Sequence, residues 1–107
     1  MTIHKDLAAG RWNQLTLAEQ LGNIGSEISR VLRAKENNNE ERYKNALDRA
    51  LELIDLTIND PKNKHRLREI CRVREVVADY FAGNNEYCSS GESLNKYFMY
   101  FAISARK

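Results

Sequence analysis

The most unusual position in the sequence is an arginine that interrupts an apolar helical stripe. In the stretch RLREICRVREVVADYF, residues 66–81, steps of three and four residues place four large apolar side chains on one helix face, with Arg74 in their middle. These four side chains are Leu67, Ile70, Val77 and Phe81. An ion buried without a partner costs several kcal/mol even after relaxation. We therefore expect Arg74 to reach a carboxylate, to donate to backbone carbonyls, or to open onto a solvent-filled groove.

Three carboxylates on neighbouring helices are candidate partners for Arg74: Glu27, Asp48 and Asp55. A guanidinium in a groove between helices suits the binding of a carboxylate or phosphate ligand, because its planar fork donates several hydrogen bonds at once. The alternative is structural. Arg74 could form an ion pair that fixes helix register, or pack its aliphatic stem while its head reaches water.

A basic cluster precedes Arg74 in the segment KNKHRLREICR. Lys64, His65, Arg68 and Arg72 share the outward face of the predicted helix, where the phosphate backbone of a nucleic acid could lie. The same face continues into acidic residues, no aromatic residue is interleaved for base stacking, and the formal net charge is only +2. These features favour a solvated surface over a nucleic-acid site.

The last helical segment, SLNKYFMYFAISARK, is apolar on nearly every side. Beside an inner stripe that includes Phe98 and Phe101, it carries Met99, Tyr100 and Ile103 on the opposite face. A second apolar face predicts self-association or a protein partner, since aromatic and Met side chains are typical of interfaces. The alternative is that N-terminal residues around Ile3, Leu7 and Trp12 fold over this face.

A ridge of small residues lies beside the apolar stripe of the first helix: Ala18, Gly22, Gly25 and Ser29. Each glycine within a helix costs about 1 kcal/mol relative to alanine. The ridge therefore predicts the close approach of another helix or of a bulky ring.

These residues fall on four predicted helices. The first begins at a capping box formed by Thr16 and Glu19 and runs to about Ala34, before the asparagine-rich turn KENNNE. The predicted segments are a lead-in at 1–15, helix two from about Glu40 to the Asp60-Pro61 break, helix three at roughly Lys62–Phe81, and helix four at about Glu92–Ala105 with a box-like start at Ser89. The lead-in can form one turn in KDLAAG before Trp12 docks on the body.

The predicted fold is an all-α, up-down antiparallel four-helix bundle, in which the lead-in can add a short N-terminal helix. A length of 107 residues fits a single domain covering 1–107, and the composition, 42% hydrophobic and 30% charged with one proline, suits a helix-rich globular chain. No β pattern or internal repeat competes with this reading.

The sequence lacks the residues that several classes of chemistry require. Cys71 and Cys88 form no CxxC pair and only two histidines accompany them, so we expect no metal site and no cofactor. Phosphate loops, nucleophile elbows and HExxH pairs are missing. No stretch of the sequence reaches the roughly 18 apolar residues of a membrane span. We therefore expect a cytoplasmic protein with reduced thiols and no membrane partner.

The segment RALELIDLTINDPKNKHRLREICRVREVVADYF, residues 49–81, resembles an uncharacterised family of short bacterial all-helical proteins. That resemblance implies the fold but no activity. The sequence is also similar, more weakly, to HEPN-type helical bundles, whose ribonuclease members place an Arg-x4–6-His motif at a helix interface. Here Arg74 is followed by Asp79 and Tyr80, so aspartate stands where the motif has histidine and cannot supply an imidazole.

The sequence thus favours a non-enzymatic interaction protein that self-associates through its last helix, with no catalytic residues. The alternative is an RNA-directed HEPN-like protein or ribonuclease that would use Arg74, Asp79, Tyr80 and the basic face of helix three.

Overall fold

The first two helices form an antiparallel hairpin. The computed structural model describes residues 10–83, 85 and 89–106, and its first helix, α1, spans Leu17–Glu36. The predicted capping box is confirmed: the Glu19 N–H donates to Thr16 Oγ1 at 3.1 Å, and the Thr16 N–H donates to the Glu19 carboxylate at 3.0 Å. The helix runs past Ala34 to Glu36, and Asn38 then turns the chain with φ of 54°, a conformation that asparagine tolerates well.

The second helix, α2, spans Glu40–Ile58 as predicted, and the Asn39 side chain caps it by accepting the Arg42 N–H at 3.1 Å. The prediction that a single helix runs from Lys62 to Phe81 is wrong at its start. Residues Pro61–Arg66 form a 3₁₀ segment, and the third helix, α3, spans Leu67–Ala82. Asp60 caps the 3₁₀ segment, and the tighter winding carries the Asn63 side chain into the core.

The fourth helix, α4, spans Gly91–Ala105. Its capping box lies one residue later than predicted, because it is Ser90 and Ser93, not Ser89 and Glu92, that exchange backbone and side-chain hydrogen bonds. The Ser89 N–H donates instead to Asn85 Oδ1 at 2.8 Å and so belongs to the preceding loop.

The four helices pack as the predicted up-down bundle. α1 packs against both α2 and α4, and α3 packs against α2. The directions alternate: Tyr43 near the start of α2 donates to the Phe81 carbonyl at the end of α3, while Gly91 at the start of α4 lies against Leu32 near the end of α1. The fully buried core includes Leu21, Ile24, Ile28, Ala50, Ile54, Ile70, Val73 and Val77. None of the helices in the described ranges combines the length and apolar character needed to cross a membrane.

A buried polar network closes the bundle at the open end of the hairpin. Trp12 docks there as predicted, and its indole N–H donates to Thr57 Oγ1 at 2.9 Å. The Gln20 amide donates to the Trp12 carbonyl at 3.0 Å and to Asp60 Oδ2 at 2.8 Å. Asn63 donates to Gln20 Oε1 at 2.9 Å and to the Thr57 carbonyl at 3.0 Å. These bonds join the lead-in, α1, α2 and the 3₁₀ segment. The helical turn predicted within KDLAAG falls almost wholly on residues 1–9, outside the described residues.

Asp60 is the only carboxylate in this network. Burial by itself would raise the pKa of Asp60, but hydrogen bonds from the Lys62 ammonium, the Gln20 amide and the Lys62 N–H outweigh burial and hold that pKa below its ordinary value. The Lys62 ammonium also donates to the Asn13 carbonyl at 3.1 Å, so one cation ties the lead-in to the end of α2.

Candidate functional site

Arg74 lies at the edge of the α2–α3 contact and not in the core. Its side chain is 43% exposed, and its Nε donates to Asp55 Oδ1 at 2.7 Å, with Asp55 itself 49% exposed. The expectation of an inward-facing guanidinium is therefore wrong. The buried stripe of α3 runs through Ile70, Val73 and Val77, and Arg74 is one residue beyond Val73, about 100° further around the helix.

The three candidate partners of Arg74 have separate environments. Asp55 forms the ion pair, while Asp48 is exposed on α2. Glu27 is buried, with 9% of its side chain exposed, and accepts from Arg30 Nη1 at 2.6 Å through Oε1. Its second oxygen, Oε2, has no hydrogen-bond partner among the described residues. The buried charge anticipated between the helices is thus the Glu27 carboxylate and not the Arg74 guanidinium.

The three residues of the alternative catalytic hypothesis, Arg74, Asp79 and Tyr80, lie on different sides of α3. Arg74 faces Asp55 of α2, whereas the Tyr80 ring lies edge-on to Phe81 and under the Lys35 ammonium of α1, 4.9 Å from its centroid. Asp79 is half-buried near the end of the helix. The geometry does not bring these three side chains to one point.

The predicted basic face of the third helix is exposed but is divided between two elements. Lys64 and His65 lie on the 3₁₀ segment, and Arg68 and Arg72 lie on α3. Arg72 is engaged within the chain. The neighbouring Arg66 is also engaged, because it forms two hydrogen bonds with Glu69 and lies 5.2 Å from the Phe101 ring centroid of α4.

The apolar outer face of α4 is formed by Met99, Tyr100 and Ile103, which are 56%, 68% and 46% exposed. We call these three residues the α4 face. Beside it, an open groove of about 330 Å³ runs between α1 and α4. Gly22 and Gly25 lie along this groove, and a Cβ at Gly25 would lie 3.7 Å from Phe98 Cβ, whereas nothing lies within 4 Å of one at Gly22. The predicted close approach thus holds at Gly25 and not at Gly22.

A second concave feature lies at the closed end of the α1–α2 hairpin. It is a cleft of about 460 Å³ with the small buried residues Ala34 and Ala46 between its walls. Four arginines line it, and we call it the arginine cleft: Arg30, Arg33, Arg42 and Arg49. Its other lining residues are asparagines, and no acidic residue is among them.

The arginine cleft was not anticipated from the sequence, although a signal was present. The three-asparagine turn makes α1 and α2 a hairpin centred near Asn38, and Arg33 and Arg42 lie five and four residues from that point. Arg42 and Arg49 are seven residues apart and so share a helix face. Counting outward from the turn would have paired the two helices' arginines. The basic residues that follow one another closely at 64–72 form the more obvious pattern, and this pattern predicts a basic face there instead.

The fold and its surface features define a class: an all-α, up-down four-helix bundle with a basic cleft at one hairpin end and an apolar outer face on its last helix. Within the described ranges, no group of three His, Cys, Asp or Glu residues could hold a metal ion. No protein-family model, curated protein or solved structure matches the chain.

Proposed function

We propose that this chain is a non-enzymatic helical-bundle interaction protein that self-associates through the α4 face. The observation that carries the proposal is the exposure of Met99, Tyr100 and Ile103 on one side of a single helix. Full burial of a fully exposed apolar side chain contributes about 1.5–3 kcal/mol, and each of these three still exposes about half of its surface, so burying the three together favours association. A second copy of the chain offers the same apolar surface, as an isologous interface requires.

The groove beside the α4 face supports the same proposal. It borders Met99 and Ala102 on one side and Gly22 and Gly25 on the other. Because no side chain fills the space at Gly22, an apolar side chain from a second copy could enter there, while Tyr100 packs against that second copy. This occupancy would also account for a helical glycine that no contact within the described chain explains.

Light scattering coupled to gel filtration tests the proposal. The wild-type chain is expected to elute as an oligomer, and Met99→Lys combined with Ile103→Asp is expected to yield the mass of a single chain. Leu67→Lys is the matched control, since Leu67 is also a large exposed hydrophobic residue, 38% exposed, but lies at the start of α3. A single-chain mass for the wild type, or dissociation by the control alone, would refute the proposal.

The competing proposal is an RNA-directed protein that uses the exposed basic residues Lys64, His65 and Arg68. It predicts RNA affinity that falls steeply with salt and with Arg68→Ala, because released counterions drive such binding. Salt-independent or undetectable binding would remove it. A cytoplasmic location and a bacterial origin belong to the leading proposal: the first is carried over from the expectation of a chain with reduced thiols and no membrane span, and the second from the sequence resemblance given above.

A further inference from the structure

The arginine cleft concentrates positive charge that the chain does not neutralise. Arg30 is paired with Glu27, but through Nη1 alone, which leaves other donors of its guanidinium available. Within the described residues, Arg33, Arg42 and Arg49 form no ion pair and no side-chain hydrogen bond. All four arginines are exposed, so they are hydrated and accessible to a ligand.

The N-terminus of α2 adds positive potential at one wall of the cleft, against which the carboxylates of Glu40 and Glu41 in the same turn act. Arg42 is in the first turn of α2, where the helix dipole is positive, and the cap of that helix is the Asn39 side chain. Like charges on neighbouring positions repel one another by a few tenths of a kcal/mol per pair, so apart from the Arg30–Glu27 pair the folding of the hairpin does not favour their accumulation. A multivalent anion bound among them would remove that repulsion.

The chemistry of the lining residues restricts the ligand. Guanidinium groups match phosphate oxygens with paired hydrogen bonds, and several of them in one cleft call for more than one negative charge. No aromatic residue lines the cleft, so stacking on a base or ring contributes nothing. Its volume of about 460 Å³ lies within the range of small-molecule sites, and its only apolar residues are alanines.

We propose that the arginine cleft binds a ligand that carries two or more linked phosphate groups, recognised through those phosphates alone. Arg42 and Arg49 of α2 contact the phosphates from one wall, and Arg30 and Arg33 of α1 from the other. Linked phosphates occur in compact polyphosphates and in the backbone of a nucleic acid. The cleft is on a different part of the molecule from the α4 face, so this inference does not depend on self-association.

Isothermal titration calorimetry with inorganic triphosphate and, separately, with a short oligothymidylate tests the proposal and distinguishes the two sources. The full chain should bind at least one of these probes. Arg42→Gln with Arg49→Gln should weaken that binding by about 100-fold, since a charge-assisted hydrogen bond contributes about tenfold or more per arginine. Binding of triphosphate identifies a compact ligand, and binding of the oligothymidylate alone identifies a nucleic-acid backbone.

The matched control removes the same charge elsewhere. Arg11→Gln with Arg106→Gln neutralises two exposed arginines, one beside Trp12 and one at the end of α4, and should leave binding within about twofold. Thermal unfolding of the cleft variant should occur at a temperature no lower than that of the wild type, because two mutually repelling charges are removed. Failure of both probes to bind, equal loss of binding in the control, or a marked drop in the unfolding temperature of the cleft variant would overturn the proposal.

Discussion

Polar side chains are buried at one end of the α1–α2 hairpin and exposed at the other. At the open end, Trp12, Gln20, Thr57, Asp60 and Asn63 are buried and bonded to one another. At the closed end, the arginines of the cleft are exposed, and three of them have no ion-pair partner in the described chain. The first arrangement holds the fold together, because each group would be costly to leave unpaired. In the second arrangement only Arg30, through its pair with Glu27, contributes to folding, so a ligand is the better explanation for the other three arginines.

Removing Gln20 from the buried network is the most direct test of whether that network stabilises the fold. Gln20→Leu is expected to lower the free energy of unfolding by about 2–4 kcal/mol, because Asp60 and Asn63 each lose a buried partner and the leucine must fit a polar site. Urea denaturation measures the change. Gln14 is an exposed glutamine in a separate 3₁₀ turn, Trp12–Gln14, and Gln14→Leu should change stability by no more than about 0.5 kcal/mol.

A loss below about 1 kcal/mol for Gln20→Leu would show that the network is not cooperative, and the contrast between the two ends would then rest on exposure alone.

Acid should weaken the same end of the molecule first. The pKa of Asp60 is lower in the folded chain than its ordinary value of 3.8, so the folded state binds this proton less readily than the unfolded state. The stability that Asp60 contributes is therefore complete above its unfolded pKa, near 3.8, and is lost as the pH falls through the folded pKa. Urea denaturation between neutral pH and strong acid should show this slope, and Asp60→Asn should reduce it.

Glu19 supplies the control for that experiment. Its pKa is also lowered, by the hydrogen bonds it accepts within the capping box from Thr16, so Asp60→Asn should leave a residual slope. Asp60→Asn combined with Glu19→Gln should flatten the acid dependence further. An unchanged slope in Asp60→Asn would mean that the carboxylate is equally stabilised in the unfolded chain.

The sequence predicted the fold well because the fold depends on local rules. Apolar spacing, the Thr16–Glu19 box, the asparagine turn and the Asp60-Pro61 break each act within a few residues, and all four appear where they were expected. The misassigned start of helix three has a non-local cause, since Asn63 is drawn inward by Gln20 and by the Thr57 carbonyl. A helical pattern alone does not predict hydrogen bonds to residues that are distant in the sequence.

The candidate sites were predicted less well because a helix stripe has edges that the sequence does not mark. Arg74 shares its apparent stripe with Leu67 and Phe81, but the tertiary contact of α3 is centred on Val73 and Val77. Leu67 and Arg74 therefore lie at the margin. For α4 the sequence left two outcomes open, a face for a partner or a face covered by the lead-in, and Met99, Tyr100 and Ile103 are exposed among the described residues.

Glu27 is buried and pairs with Arg30 of the arginine cleft, so this pair separates a role in stability from a role in ligand binding. Arg30→Ala removes the hydrogen-bond partner that the buried Glu27 carboxylate has among the described residues and is expected to lower the free energy of unfolding by about 1–2 kcal/mol. Glu27→Leu removes a half-satisfied buried charge and is expected to be neutral or stabilising by about 1 kcal/mol. It also releases Arg30, so triphosphate should bind this variant more tightly than the wild type.

Denaturation and calorimetry on the same two variants separate the roles. Weaker triphosphate binding in Glu27→Leu would mean that the carboxylate positions Arg30 for the ligand instead of competing for it.

The smallest effects are expected at Arg74, which is half-exposed and has an ion-pair partner, and at Arg49, which is exposed and has no such partner in the described chain. Arg74→Ala should lower the free energy of unfolding by no more than about 1 kcal/mol, because both members of its ion pair with Asp55 are hydrated. Arg49→Ala should leave stability unchanged or slightly raised, since that side chain repels its neighbours in the cleft. A double-mutant cycle between Arg74→Ala and Asp55→Ala isolates the pair, with an expected coupling of about 0.2–1 kcal/mol. A coupling of several kcal/mol would mean that the pair is desolvated in solution and that Arg74 acts as the buried charge its sequence pattern first indicated.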